Sequence, residues 1–232
     1  ERDAGTARLL IVVPVAVTAF FYASILDYSL PLFFGALGEA AEEKGGSYPA
    51  DIWSKLVFLQ VLPWIIGPVI SGVLARRYGE RLGWSGALFG KALVPVMLVL
   101  NPAPFMIYTL AVWQGFTGAL MWIAGISLVQ MVVPEKKGLS NGWMMASLGI
   151  GSVFGPICGR TLLHRAELSG PAFSGQWSEV WSKLLTFTPM EGPGVDDFTM
   201  IFSILIFTSL ACAVAVLCWG QRPGKFDTHD AY

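Results

Sequence analysis

Long stretches without any charged residue limit most strongly how this chain can fold. Five such runs are present: Leu9–Leu26, Leu56–Ala75, Ala92–Pro134, Gly138–Gly159 and Phe198–Gln221. A helix needs about 20 apolar residues to cross the hydrocarbon core of a bilayer. The third run is long enough for two crossings, and the prolines of Asn101-Pro102-Ala103-Pro104 divide it, since proline ends one helix and starts the next. Six transmembrane helices are therefore predicted, at residues 8–36, 52–75, 83–100, 104–133, 139–163 and 197–220.

Helices are favoured over a membrane barrel because the runs are continuously apolar, whereas barrel strands alternate over about 10 residues. Only 13% of the residues are charged, against about 25% in an ordinary soluble domain. The predicted fold is an all-α membrane protein, with a six-transmembrane-helix bundle over residues 1–221. Residues 164–196 are predicted to form an outer loop, and residues 222–232 a polar tail or linker.

The distribution of basic residues orients the bundle, because cytoplasmic loops are enriched in Lys and Arg. One side of the predicted bundle carries most of them: Arg2, Arg8, Arg76, Arg77, Arg81, Lys136, Lys137, Arg222 and Lys225. Both termini are therefore predicted to be cytoplasmic. In the long loop opposite, Gln176–Leu185 places Trp177, Trp181 and Leu184 on one helical face. This segment is either a short amphipathic helix at the outer interface or an irregular loop with two tryptophan anchors.

Two motifs carry a resemblance to a known family. Gly72-Val-Leu-Ala-Arg-Arg-Tyr-Gly-Glu-Arg81 joins the second and third predicted helices, and Gly151-Ser-Val-Phe-Gly-Pro-Ile-Cys-Gly-Arg160 lies in the fifth. The first resembles the G-x-L-a-D-R-x-G-R-R signature of the major facilitator superfamily, and the second resembles that family's G-x-x-x-G-P-x-x-G-G motif. The chain departs from the family at Arg76, where the family has Asp, at Glu80, where it has a base, and at Arg160, where it has Gly.

The resemblance implies one half of a twelve-helix transporter, built from two three-helix repeats. It also implies a cytoplasmic gate formed by the first motif, at Gly72, Arg76, Arg77, Gly79 and Arg81. Since Arg76 replaces the acid with which that gate would pair, the gate is expected to work differently here. The implied partners are the lipid bilayer and either a second six-helix bundle, from a continuation of the same chain or from another copy, or other membrane subunits.

Residues of the fifth helix also form a packing motif. Ser147 and the glycines of the motif recur every four residues and share one helix face, and small residues at this spacing allow helices to approach closely. Pro156 removes a backbone donor and can bend the helix. The packing motif consists of Gly151, Gly155, Pro156 and Gly159. It is either a surface on which the bundle rocks or a tight static contact.

Four polar residues at membrane depth are candidates for a substrate or ion cavity: Asp27, Gln60, Lys91 and Gln114. An acid inside a span is costly and calls for a partner, water or a proton, so Asp27 is either a coupling or substrate site or a residue near the outer interface. Lys91 either faces the interior, where it would attract anions, or extends its ammonium to the membrane surface. The two charges are predicted to lie at different depths, too far apart for a direct pair.

The leading functional hypothesis is a secondary transporter that moves a small solute by alternating access. The alternative is a non-transporting, transporter-like subunit that acts as a scaffold in a larger membrane complex. The sequence shows no paired carboxylates or Ser/His/Asp set at membrane depth, so no enzyme activity and no cofactor are predicted. Only two histidines are present, and the three cysteines lie in apolar runs, so no metal site is predicted. The net charge of −1 argues against a nucleic-acid partner.

Overall fold

The computed structural model of the chain describes residues 2–43, 52–99, 104–132, 137–169 and 196–218. Within these ranges the elements are helices: α1 (Arg2–Glu43), α2 (Ile52–Val61), α3 (Pro63–Tyr78), α4 (Glu80–Val99), α5 (Pro104–Val132), α6 (Lys137–Ser169) and α7 (Asp196–Cys218). Six stretches of the described residues are long and apolar enough to cross a membrane, with α2 and α3 forming one of them together. The predicted all-α bundle of six spans is confirmed.

Helix ends differ from the predicted ones in several places, and α1 already begins at Arg2 and α4 at Glu80. Helix α1 continues to Glu43, α6 continues to Ser169, and the predicted helix over 52–75 is divided in two and extends to Tyr78. The division falls at Leu62, directly before Pro63, because proline has no N–H to donate to the preceding turn. The segment predicted as an amphipathic helix, 176–185, and the predicted tail, 222–232, lie outside the described residues.

The helix pairings have the pattern of two related three-helix repeats. One repeat consists of α1, the α2–α3 span and α4, and the other consists of α5, α6 and α7. Helix α1 packs most extensively on α6, and α5 packs in the same way on the α2–α3 span. Helix α4 packs on α7, which is its counterpart. Each repeat therefore places its first helix against the second helix of the other repeat.

Stripes of small residues make both of these crossings close. On α6, a Cβ added to Gly151 would lie 2.6 Å from the carbonyl carbon of Phe20 in α1. The corresponding stripe on α3 consists of buried residues four apart: Pro63, Gly67, Ser71 and Ala75. A Cβ added to Gly67 would lie 2.7 Å from Cβ of Ala119 in α5. Neither contact has room for a larger side chain.

Apolar packing forms two clusters that are separated along the helices. In α4, one cluster contains Val94 and Leu98, and the other contains Trp84 and Leu88. Lys91 lies between them in the sequence. Helix α5 repeats this order, with Gln114 between the two clusters. Polar side chains thus lie at the level of the bundle between the two apolar clusters.

A single residue, Gly79, joins α3 to α4. Its φ is +85° and its ψ is 149°, a conformation that only glycine adopts readily. The Gly79 N–H donates to the Ala75 carbonyl at 2.7 Å, and the Gly79 carbonyl accepts from the N–H of Gly83 at 3.0 Å. Arg81 then donates to the Leu217 carbonyl of α7 at 2.5 Å, which ties this turn to the end of the last helix.

Substituting Gly79 by alanine is expected to destabilise the bundle by about 1–3 kcal/mol, because alanine would have to adopt a strained backbone conformation. The midpoint of thermal unfolding in detergent should therefore fall. Gly72→Ala is the matched control, since a Cβ at Gly72 meets nothing within 4 Å and alanine favours a helix. Equal midpoints for the two variants would contradict the assigned backbone strain.

Candidate functional site

A cavity of about 340 Å³ opens between α1, the α2–α3 span, α4, α5 and α6. All four polar residues predicted for a cavity line it, together with aromatic and small side chains. The lining residues are Phe20, Ala23, Ser24, Asp27, Gln60, Trp64, Lys91, Gln114, Gly118, Met121, Trp122, Leu148 and Ser152. Three different helices and the broken span thus supply the polar groups of one site.

Two amides hold the carboxylate of Asp27. Nε2 of Gln114, on α5, donates to Oδ1 of Asp27 at 2.8 Å. Nε2 of Gln60, on α2, donates to the same oxygen at 3.4 Å. Gln114 is only 3% exposed, whereas Asp27 is exposed on the open side of this bundle. The carboxylate is therefore oriented by fixed dipoles from two neighbouring helices while it faces the cavity.

Lys91 lies deeper than Asp27, with 4% of its surface exposed. Its ammonium reaches the α5 side of the cavity, where Nζ would lie 3.9 Å from a Cβ added to Gly118. The hydroxyl of Tyr22 in α1 donates to the Lys91 carbonyl at 2.8 Å, which fixes the backbone of α4 at this level. Lys91 thus faces the interior and does not extend to the membrane surface.

Asp27 and Lys91 were predicted to lie at different depths, and the structure places both on one cavity. Their opposite charges attract each other. No ion pair between the two side chains is present in the described part of the chain. The apolar span of α1, Val13–Ala36, contains Asp27.

Several lining residues were missed by the sequence analysis. Trp64 follows Gln60 by four residues, and Gly118 follows Gln114 by four. Residues at this spacing lie on the same face of a helix, so Trp64 and Gly118 are each one turn away from a predicted residue. Trp64 and Lys91 both lie next to Gly118, where a Cβ would approach the indole ring at 3.3 Å.

The predicted gate residues lie apart from this cavity. Arg76 and Arg77 are exposed at the end of α3, and the guanidinium of Arg77 lies 5.6 Å from the centre of the Tyr78 ring. Gly72 has open space beside it. The turn contains Gly79 and Arg81, described above. Its role as a gate stays a prediction.

The predicted packing motif lies behind the cavity, on the crossing of α6 with α1. Gly155 faces Ser24, and Gly159 faces Tyr28. Pro156 is half-buried within an unbroken α6. Ser24 also lines the cavity, so this contact touches the back wall of the site. Whether the helices move along it stays a prediction.

Six stretches of the described residues are long and apolar enough to cross a membrane, and the helices enclose a charged, partly aromatic cavity. The sequence model of the Major Facilitator Superfamily matches residues 12–230. The chain therefore belongs to the major facilitator superfamily, and the predicted resemblance is confirmed. Its six spans correspond to one half of such a transporter.

Curated relatives of the chain are transporters. A class C tetracycline resistance protein of Escherichia coli is 27% identical over 52% of this chain and 31% of its own length. A class B tetracycline resistance protein of Escherichia coli is 29% identical over 47% of this chain and 27% of its own length. A probable actinorhodin transporter of Streptomyces coelicolor is 23% identical over 78% of this chain and 32% of its own length. The chain thus matches about a third of these relatives, and no solved structure matches it.

Proposed function

We propose that the chain is one half of a secondary transporter, which moves a small solute by alternating access. The observation that carries this proposal is the cavity that Asp27 and Lys91 line together with two glutamine amides. A charge at the centre of a span costs about 2.5–3.5 kcal/mol on insertion scales. Two charges placed on one cavity at that depth are better explained by solute or ion binding than by packing.

Alternating access requires a second bundle that closes the open side of the cavity. Substrate sites of secondary transporters lie at the interface of such repeats, near the midplane of the bilayer. The second bundle would come from a continuation of the same chain, from another copy or from another membrane subunit. The close crossings of α6 on α1 and of α3 on α5 would let each pair move as a rigid unit. Both termini would face the cytoplasm, with the Gly72–Arg81 turn on the same side.

The names of two relatives contain organic compounds, which supports an organic solute for this chain. These compounds are tetracycline and actinorhodin, and they are associated with the relatives and not with this chain. For this chain we propose the broader class, a small amphipathic solute. The walls of the cavity fit that class, because Phe20, Trp64 and Trp122 surround its polar groups.

Uptake into proteoliposomes that contain the chain together with its second bundle tests the role of the cavity. Radiolabelled tetracycline and 1-naphthoate are suitable first solutes, and uptake should exceed that of empty liposomes for at least one of them. Lys91→Ala and Asp27→Asn should each reduce uptake to the background, because each removes one of the two charges in the cavity. Lys137→Ala, an exposed lysine at the start of α6, should retain it.

Full uptake by both cavity variants would remove these residues from the solute path. A folded wild-type protein that takes up neither solute, and that co-purifies with fixed membrane partners, would favour the scaffold subunit over the transporter.

A further inference from the structure

Lys91 is a buried lysine whose side-chain nitrogen has unused donors. Its side chain is 4% exposed, and Nζ lines the cavity beside Gly118 and Trp64. In the described part of the chain, no hydrogen bond or ion pair to Nζ is present. An ammonium has three N–H groups to satisfy, and a buried charge without partners is strongly unfavourable. The missing partners must therefore come from whatever fills the cavity.

The side chain of Asp27, in contrast to that of Lys91, already has hydrogen-bond partners. Its Oδ1 already accepts two amide hydrogens, from Gln114 and Gln60, and its side chain is exposed. Hydrogen bonds to an ionised group are among the strongest in proteins. The carboxylate is thus supplied with donors by the protein, whereas the ammonium of Lys91 lacks acceptors. The cavity therefore presents the N–H donors of Lys91 to a bound molecule, and such donors suit a negative group.

Aromatic side chains form a large part of the remaining walls of the cavity. The indoles of Trp64 and Trp122 and the ring of Phe20 line it, and the Phe20 and Trp122 rings pack edge to face at 5.6 Å. Met121 adds a flexible thioether that adapts to irregular shapes. Aromatic walls of this kind favour a planar apolar body, which they contact at offset-stacked or edge-to-face geometry.

We propose that the cavity binds an amphipathic organic anion, with its negative group on Nζ of Lys91 and its flat apolar body against Trp64 and Trp122. This inference rests on the proposed function only in taking the cavity as the solute site. A bound anion would share the cavity with Asp27, since Asp27 and Lys91 line the same cavity. The carboxylate of Asp27 would therefore oppose the binding of a negative group.

Equilibrium dialysis of the full chain in lipid nanodiscs tests the charge preference. Three probes share one ring system and differ in charge: 1-naphthoate, neutral 1-naphthamide and cationic 1-naphthylmethylammonium. Empty nanodiscs provide the correction for lipid partitioning. The wild-type protein should bind 1-naphthoate roughly 10- to 100-fold more tightly than 1-naphthamide, the range expected for a hydrogen bond to a charged group. The cation should bind most weakly.

Variants test the roles of Lys91 and Asp27 separately. Lys91→Met keeps the length of the side chain and should abolish the preference for 1-naphthoate, while Lys91→Arg should keep it. Asp27→Asn should bind 1-naphthoate more tightly than the wild type, because the competing carboxylate is gone. Lys137→Met should match the wild type. A cationic or neutral preference of the wild type, or an unchanged preference in Lys91→Met, would overturn the proposal.

Failure of this inference differs from failure of the proposed function. Lys91-dependent binding of 1-naphthoate without uptake into proteoliposomes would support the anion site and contradict transport. Uptake of the neutral or cationic probe, without binding of 1-naphthoate, would support transport and overturn the anion site.

Discussion

Gly155→Leu is expected to abolish the folded bundle, because this substitution places a large side chain where α6 touches α1. A Cβ at residue 155 would already lie 2.5 Å from Cβ of Ser24 and 3.2 Å from the backbone N of Ile25. Overpacking a well-packed contact costs about 1–3 kcal/mol when the surroundings can shift. Here the neighbouring atoms belong largely to the α1 backbone, which cannot move without displacing the whole helix. Since total stabilities are only about 5–15 kcal/mol, we expect little or no folded protein.

Size-exclusion profiles in detergent, and the midpoint of thermal unfolding of any monodisperse fraction, measure this effect. Gly149→Leu is the matched control on the same helix, since a Cβ at Gly149 meets nothing within 4 Å and the residue is exposed. The control should elute and unfold as the wild type does. A Gly155→Leu protein with wild-type elution and midpoint would show that α6 does not pack on α1 in this way.

The number and type of the spans were predictable because lipid leaves a chain few choices. Backbone polar groups must be satisfied within the segment, so a long apolar run has to be helical. The break at Leu62 had a readable cause in Pro63. The extension of α1 to Glu43 had no such signal in the sequence, because the residues beyond 36 are no longer apolar enough to mark a span. Hydropathy predicts which residues cross the membrane, but it does not predict where a helix ends.

The residues of the cavity were predictable one by one, but their arrangement was not. Polarity at membrane depth singled out Asp27, Gln60, Lys91 and Gln114 without any structural information. Both glutamines donate to one carboxylate oxygen. This arrangement depends on how α1, α2 and α5 are rotated about their axes. No local pattern encodes that rotation. The aromatic wall was missed for a related reason, since Trp64 is as typical of a lipid-facing surface as of a cavity.

One of the two small-residue stripes was predicted and the other was not. The glycines of α6 are identical residues at a constant spacing, and their pattern is plain in the sequence. The stripe of α3 mixes Gly67, Ser71 and Ala75 with Pro63, and its residues are individually common in membrane helices. The equivalence of the two stripes becomes visible only through the pairing of α1 with α6 and of α5 with the α2–α3 span.

Gly118→Leu is expected to close the cavity and to end both 1-naphthoate binding and uptake. A Cβ at residue 118 would meet the Trp64 ring at 3.3 Å and Nζ of Lys91 at 3.9 Å. The Trp64 ring must shift by a few tenths of an ångström to admit the first carbon, and the rest of the leucine would extend between the ammonium and the indole. The substitution therefore occupies the position that the anion needs, and it leaves the charges of Asp27 and Lys91 in place.

The fold should tolerate this change, because the added atoms enter an open cavity rather than a helix crossing. Unfolding midpoints close to those of the wild type, together with background uptake, are thus the expected pair of results. Gly86→Leu adds the same side chain on α4, where a Cβ at the exposed Gly86 meets nothing within 4 Å, and should keep wild-type uptake. If Gly118→Leu kept uptake as well, solute would have to cross elsewhere than between Lys91 and Trp64, and the assignment of this cavity as the solute site would be wrong.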